Sequence, residues 1–89
     1  MAKHLTITGR VQGVGYRQWM CNEALTLGIT GWVRNRRDGS VEAVLDGLAP
    51  LVQVLVERAH RGPPKAEVSA VSVQEIEGRF MSFEWRPTE

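Results

Sequence analysis

The chain has 89 residues, and domains commonly run from about 50 to 250, so one domain covering residues 1–89 is expected. Hydrophobic residues make up 43% and charged residues 24%, which excludes a disordered tail, a collagen-like chain and a disulfide scaffold. Net charge is +1, too low for a strong electrostatic binder of nucleic acid, yet residues 1–37 carry six basic groups against Glu23 while residues 38–89 carry five against nine acids.

Met1-Ala2-Lys3-His4 runs directly into alternating Leu5-Thr6-Ile7-Thr8 with no apolar leader core, so no signal peptide is expected. Leu5 and Ile7 repeat with the period of two of a half-buried strand. Three glycines then interrupt the pattern between positions 9 and 15. From Tyr16 the spacing becomes helical, with Tyr16, Met20, Ala24 and Leu27 on one stripe and Gly28 as the closing residue. Cys21 lies on the buried side of that helix; as the lone cysteine it permits no internal disulfide. Strand character returns over 29–37, with Trp32 and Val33 on opposite faces. Asp38-Gly39 marks a tight turn, and Val41, Ala43 and Leu45 complete a hairpin. Pro50 suits the first turn of a second helix, whose stripe is Leu48, Leu51, Val52, Leu55, Val56 and Ala59. Gly62-Pro63-Pro64 ends it. A strand around 68–76, a turn at Glu77-Gly78-Arg79 and a short strand at 83–86 follow. No apolar run approaches the ~18 residues of a membrane span, and a cytoplasmic monomer with no membrane partner is expected.

The order β-α-β-β-α-β restricts the topology. Right-handed crossovers interleave into an α+β, ferredoxin-like sandwich whose neighbouring strands are all antiparallel, with both helices on one face. The other face is expected to be wet, carrying Thr6, Thr8, Arg34 and Glu42. Strands one and two are then parallel, so the loop after the first and the end of the second meet at one edge of the sheet. There, Gln12, Gly13, Val14, Gly15, Tyr16 and Arg17 form a glycine-bearing turn opening a helix. Its successive backbone N–H groups and the helix N-terminus can converge on an anion, and Arg17 can close over it. By itself such a turn is more often a plain connection. It is neither a Walker loop nor a G-x-G-x-x-G turn.

The segments Gly9-Arg10-Val11-Gln12-Gly13-Val14-Gly15-Tyr16-Arg17 and Gly31-Trp32-Val33-Arg34-Asn35, the latter followed by Asp38-Gly39-Ser40-Val41-Glu42, resemble the two signatures of the acylphosphatase family. Their spacing, Gly62-Pro63 and the Phe83-x-x-Arg86 ending are similar as well, so the resemblance spans the chain. It departs at Tyr16, where phenylalanine is common, and at Trp85-Arg86-Pro87, which lacks the usual closing aromatic; neither is expected to touch the site. The resemblance implies hydrolysis of an acyl phosphate to a carboxylate and inorganic phosphate, without metal or organic cofactor. It implies that residues 12–17 bind the phosphoryl group, with Arg17 the phosphate-binding arginine, and that Asn35 positions the attacking water. Inorganic phosphate or sulfate is expected to bind as product or inhibitor.

The residues available support that chemistry. A covalent mechanism needs a nucleophile, and base catalysis needs a titratable group. Asn35 is an amide and takes no proton near neutral pH. His4 and His60 are both expected at the far end of the sheet, Cys21 in the core, Asp38 in its turn, and Glu23 and Glu42 in solvent. Water is then the nucleophile and its proton passes to a phosphate oxygen, which suffices only for an activated phosphate. The alternative is a ferredoxin-like RNA-binding or other interaction module using Arg34, Arg36, Arg37 and Trp32. The third strand, however, carries Glu42 and no aromatic platform, so no nucleic-acid partner is expected. A module of a larger carbamoyl-transfer assembly fits poorly with 89 residues and no linker. Trp19 and Trp32 lie off the core parity and are expected to be partly exposed; Trp85 receives no role.

Overall fold

The computed structural model describes residues 2–89; Met1, at the head of the segment read as lacking a leader, lies outside them. The elements are β1 (Ala2–Arg10), α1 (Tyr16–Leu27), β2 (Thr30–Asn35), β3 (Val41–Asp46), α2 (Ala49–Ala59), β4 (Glu67–Ile76) and β5 (Phe83–Arg86). The strands form one sheet in the order β4-β1-β3-β2-β5. Its first four strands are antiparallel neighbours, as the crossover argument requires.

The fifth strand corrects the expectation of an all-antiparallel sheet: β5 pairs with β2 in parallel, with Val33 opposite Trp85. The reason is directional. β4 runs against β1 and β2, so a strand that follows β4 by reversing direction must run along them. The connection over 77–82 therefore crosses the full sheet at the end away from the β1–α1 loop, about 19 Å at ~4.8 Å per strand interval. Six residues reach that far when extended.

The core follows the predicted parities. Leu5, Ile7, Val33, Val41, Ala43 and Leu45 point from the sheet into one cluster with Tyr16, Met20 and Ala24 of α1 and Val52, Leu55, Val56 and Ala59 of α2. Both helices thus cover one face. Leu48 was assigned to the α2 stripe, but it precedes the helix at its N-cap and is 71% exposed, because its extended backbone swings the side chain off the helical face. α1 ends at Gly28 in the left-handed region (φ 69°), whose N–H closes on the last turn. Among the described residues no helix is long and apolar enough to cross a membrane.

One tie connects the helices to the site. The Tyr16 hydroxyl, buried at the start of α1, donates to the carbonyl of Ala59 at the end of α2, at 2.6 Å. A phenylalanine at this position could not make that bond. Burial holds the phenol well above its ordinary pKa, so it remains a donor.

Candidate active site

β1 and β2 run in the same direction, so the β1–α1 loop and the β2–β3 hairpin emerge at one end of the sheet. Gln12 joins them. Its side-chain amide donates to the carbonyls of Arg36 at 2.7 Å and Ser40 at 2.8 Å, on either side of the hairpin turn. That leaves the backbone of Gln12, rather than its side-chain donor, to face a ligand. The turn is stiffened from within: Asp38 Oδ1 accepts from the Ser40 N–H (2.9 Å) and hydroxyl (2.6 Å). These two bonds lower the carboxyl's pKa, as expected of a residue working in its turn.

Gly13 and Gly15 adopt φ of 72° and 81°. A Cβ at either would meet nothing within 4 Å. Substitution there is opposed by backbone strain rather than crowding, and the space over the loop is open. α1 opens at Gly15 without a side-chain cap, and no acid lies in its first turn. Its first helical bond runs from Trp19 N–H to Gly15 O at 3.0 Å. The N–H groups of Tyr16, Arg17 and Gln18 are therefore the orphan donors of a helix start, at the end of the helix dipole that attracts anions.

Arg17 and Asn35 face this loop. The Arg17 guanidinium carbon lies 4.2 Å from the centre of the Trp85 ring, and Nη1 donates to the Arg86 carbonyl at 3.2 Å. Asn35 is the last residue of β2, half-buried, and its backbone carbonyl accepts from Glu89 N–H at 3.0 Å. Gln12, Gly13, Gly15, Tyr16, Arg17 and Asn35 line a single concave pocket, completed by Val11, Gln18 and Trp85. Val14 does not line the pocket; half-buried, it packs against the core instead. Among the described residues no Asp, Glu, His or Cys lines the pocket, and no three of these gather as a metal-binding group.

Several expectations change here. Trp85, read as remote from the site, lines the pocket; Tyr16 lines it too, as its place in the 12–17 loop implied, although its departure from phenylalanine was not expected to bear on the site. Trp85 was missed because its proximity to Arg17 depends on the parallel placement of β5; the only sequence signal was a large aromatic in a short terminal strand. His60 does not lie at the far edge. α2 runs back toward the loop end, as the Tyr16–Ala59 bond shows, so His60 sits at the site end of the sheet. It nevertheless turns away from the pocket, and its Nδ1–H donates to Val56 O at 3.1 Å. His4 remains near the opposite end, paired with Val44 across the sheet.

Glu42 is not solvated; its side chain is 14% exposed. It accepts from Arg34 Nε at 2.7 Å, Arg36 Nη1 at 3.1 Å and His4 Nε2 at 2.6 Å. Partial burial pushes its carboxyl up, but the donors from His4, Arg34 and Arg36 outweigh this and hold it at about 2. Glu23 is likewise paired, with Arg58 at 3.3 Å. Cys21 is half-buried against the core, which raises its thiol pKa. Trp19 and Trp32 are half-buried, in line with their parity.

Of the groups on which an RNA-binding reading rested, Arg34, Arg36 and Trp32 are engaged internally, while Arg37 is exposed. Arg34 also pairs with Glu89 at 2.6 Å, and the guanidinium carbons of Arg34 and Arg86 each lie 4.8 Å from the Trp32 ring centre. That ring offers no free platform for a base.

The sequence model described as Acylphosphatase matches residues 3–85. A protein from Acidovorax sp. (strain JS42) named acylphosphatase is 55% identical over 89 residues, covering 99% of this chain and 92% of that protein. Another from Thiobacillus denitrificans, also named acylphosphatase, is 54% identical over 83 residues, covering 93% of each. Among solved structures, an acylphosphatase from Coxiella burnetii superposes with a TM-score of 0.92 at 38% identity, covering 96% of this chain and 90% of that one. With matches this long and this similar on both sequence and backbone, the chain belongs to the acylphosphatase family.

Proposed function

We propose that the 12–17 loop and Arg17 hold the phosphoryl group of an acyl phosphate while Asn35 positions the water that attacks it. The overall reaction is that of the family, hydrolysis of an acyl phosphate to a carboxylate and inorganic phosphate. The observation that carries the residue roles is one pocket that joins left-handed loop amides, an uncapped helix start, Arg17 and Asn35 without any titratable base or nucleophile.

Each part has a physical task. The loop N–H groups and the Arg17 fork meet the phosphoryl oxygens, over which charge redistributes in a loose transition state. A preorganised donor of this kind is typically worth ~3–4 kcal/mol of the barrier. The Asn35 side-chain carbonyl accepts from the water and holds it in line with the leaving oxygen, which lowers the entropic part of the barrier. The water oxygen bonds to phosphorus, the bond from phosphorus to the acyl oxygen breaks, and the acyl group leaves as carboxylate. The proton released by the water passes to a phosphate oxygen, because no side chain in the pocket is suited to take it. A carboxylate leaves readily; an alkoxide from a simple monoester would not.

The test is phosphate release from acetyl or benzoyl phosphate, with and without a chelator. Turnover unchanged by chelation is expected. Loss of most activity, restored by Mg²⁺, would overturn the mechanism, as would turnover surviving Arg17→Ala.

A further inference from the structure

Trp85 stands outside the core. Its β5 neighbour of the same parity, Phe83, packs against the core cluster. Trp85 itself is 52% exposed. Its register partner Val33 is a buried residue on the helix-covered face of the sheet, so the Trp85 ring projects toward α1. There it meets Arg17, stacked at 4.2 Å, while the next residue's carbonyl accepts from Arg17 Nη1. Among the described residues no acidic side chain pairs with Arg17; its guanidinium meets an aromatic face and a neutral carbonyl.

We infer that Trp85 is the positioning residue for Arg17: its ring is a flat platform that holds the guanidinium over the phosphate loop. The inference rests on the proposed role of Arg17 in holding phosphate. An unrestrained arginine loses much rotamer freedom when it binds an anion. Stacking removes part of that loss beforehand, in the free protein, and so improves both affinity and turnover. A carboxylate partner would hold Arg17 as firmly but would neutralise it and repel the substrate. A ring face and a carbonyl restrain the cation and leave its charge for the phosphoryl group. An aliphatic side chain such as leucine keeps the position apolar but is smaller and lacks the electron-rich face.

The experiment compares Trp85→Ala, Trp85→Leu and Trp85→Phe, alone and with Arg17→Ala. The readouts are steady-state kinetics on acetyl and benzoyl phosphate, the inhibition constant of inorganic phosphate, and the melting temperature. Trp85→Leu is expected to raise KM and the phosphate inhibition constant together, each about 3- to 10-fold, and to lower kcat. Trp85→Phe should recover most of that loss. In the Arg17→Ala background the change at Trp85 should have no further effect on phosphate affinity. The Leu–Phe contrast holds even if Trp85→Ala fails to fold. Wild-type phosphate affinity and kcat in Trp85→Leu would overturn the inference while leaving the role of Arg17 intact, provided Arg17→Ala is impaired. Unchanged phosphate affinity in Arg17→Ala would overturn the reading on which it rests. A KM defect confined to benzoyl phosphate, with phosphate affinity unchanged, would mean that the ring touches the acyl group, and would also overturn the positioning role.

Discussion

Asn35→Ala separates chemistry from affinity. The side chain faces the pocket, whereas its backbone is held by other means: Asn35 pairs with Val41 in the sheet and its carbonyl accepts from Glu89. Truncation therefore removes the proposed water acceptor and leaves the strand in place, with a stability change of less than about 1 kcal/mol expected for a site-facing residue outside the core. One lost catalytic contact is worth roughly 2.7–4 kcal/mol, or about 10²–10³ in rate. Because the water contributes nothing to substrate affinity, kcat should fall by that factor while KM and the phosphate inhibition constant change little. Asn35→Asp should not rescue turnover, since a fixed negative charge beside the loop repels the phosphoryl group. The assay is steady-state hydrolysis of benzoyl phosphate with phosphate as competitor, supported by a urea melt for each variant. A rise in KM with kcat intact would make Asn35 a substrate-binding residue and refute the water-positioning role.

Arg17→Lys should damage both KM and kcat, because a point charge cannot reproduce the planar fork or its stack on Trp85; the same kinetics check it. Inorganic phosphate or sulfate at 100 times its dissociation constant should stabilise the fold by about 2.7 kcal/mol, seen as a rise of roughly 10 °C or more in melting temperature, and Arg17→Ala should weaken that rise. The carboxyl of Glu42 lies far below its unfolded value, so it contributes stability above pH 4.5 that is lost as pH falls toward about 2. With allowance for screening at an open face, that contribution is of order 1–2 kcal/mol. Urea melts between pH 7 and 2.5 should show Glu42→Gln less stable at pH 7 with a shallower acid slope; equal slopes would assign the acid sensitivity to other carboxylates.

Most of what depends on neighbours in sequence was readable from the sequence, the exposed N-cap Leu48 excepted. The parity of Leu5 and Ile7, the stripe of Tyr16, Met20 and Ala24, and the Asp38 turn all rest on spacings of a few residues. The loop was readable for the same reason, since Gly13 and Gly15 bear directly on their own backbone angles. Even the meeting of the loop with Asn35 followed from one crossover rule applied to two parallel strands. The place of β5 beside β2 was not readable by the same rule, because it concerns a short edge strand with no crossover helix. Placing β5 beyond β2 is what puts Trp85 beside Arg17, so an error in sheet topology became an omission in the site.

The same division explains Glu42. Alternation in β3 placed it on the open face, and an acid on an open face reads as solvated. Its actual environment is assembled across strands, from His4 of β1, Arg34 of β2 and Arg36 at the hairpin. Arg36 belongs to two structures at once: its guanidinium pairs with Glu42 and its carbonyl accepts from Gln12. The ion cluster on the open face thus grips the hairpin whose other side clasps the 12–17 loop. The face opposite the helices is in this way mechanically joined to the pocket, and the hairpin that follows Asn35 is anchored from both sides.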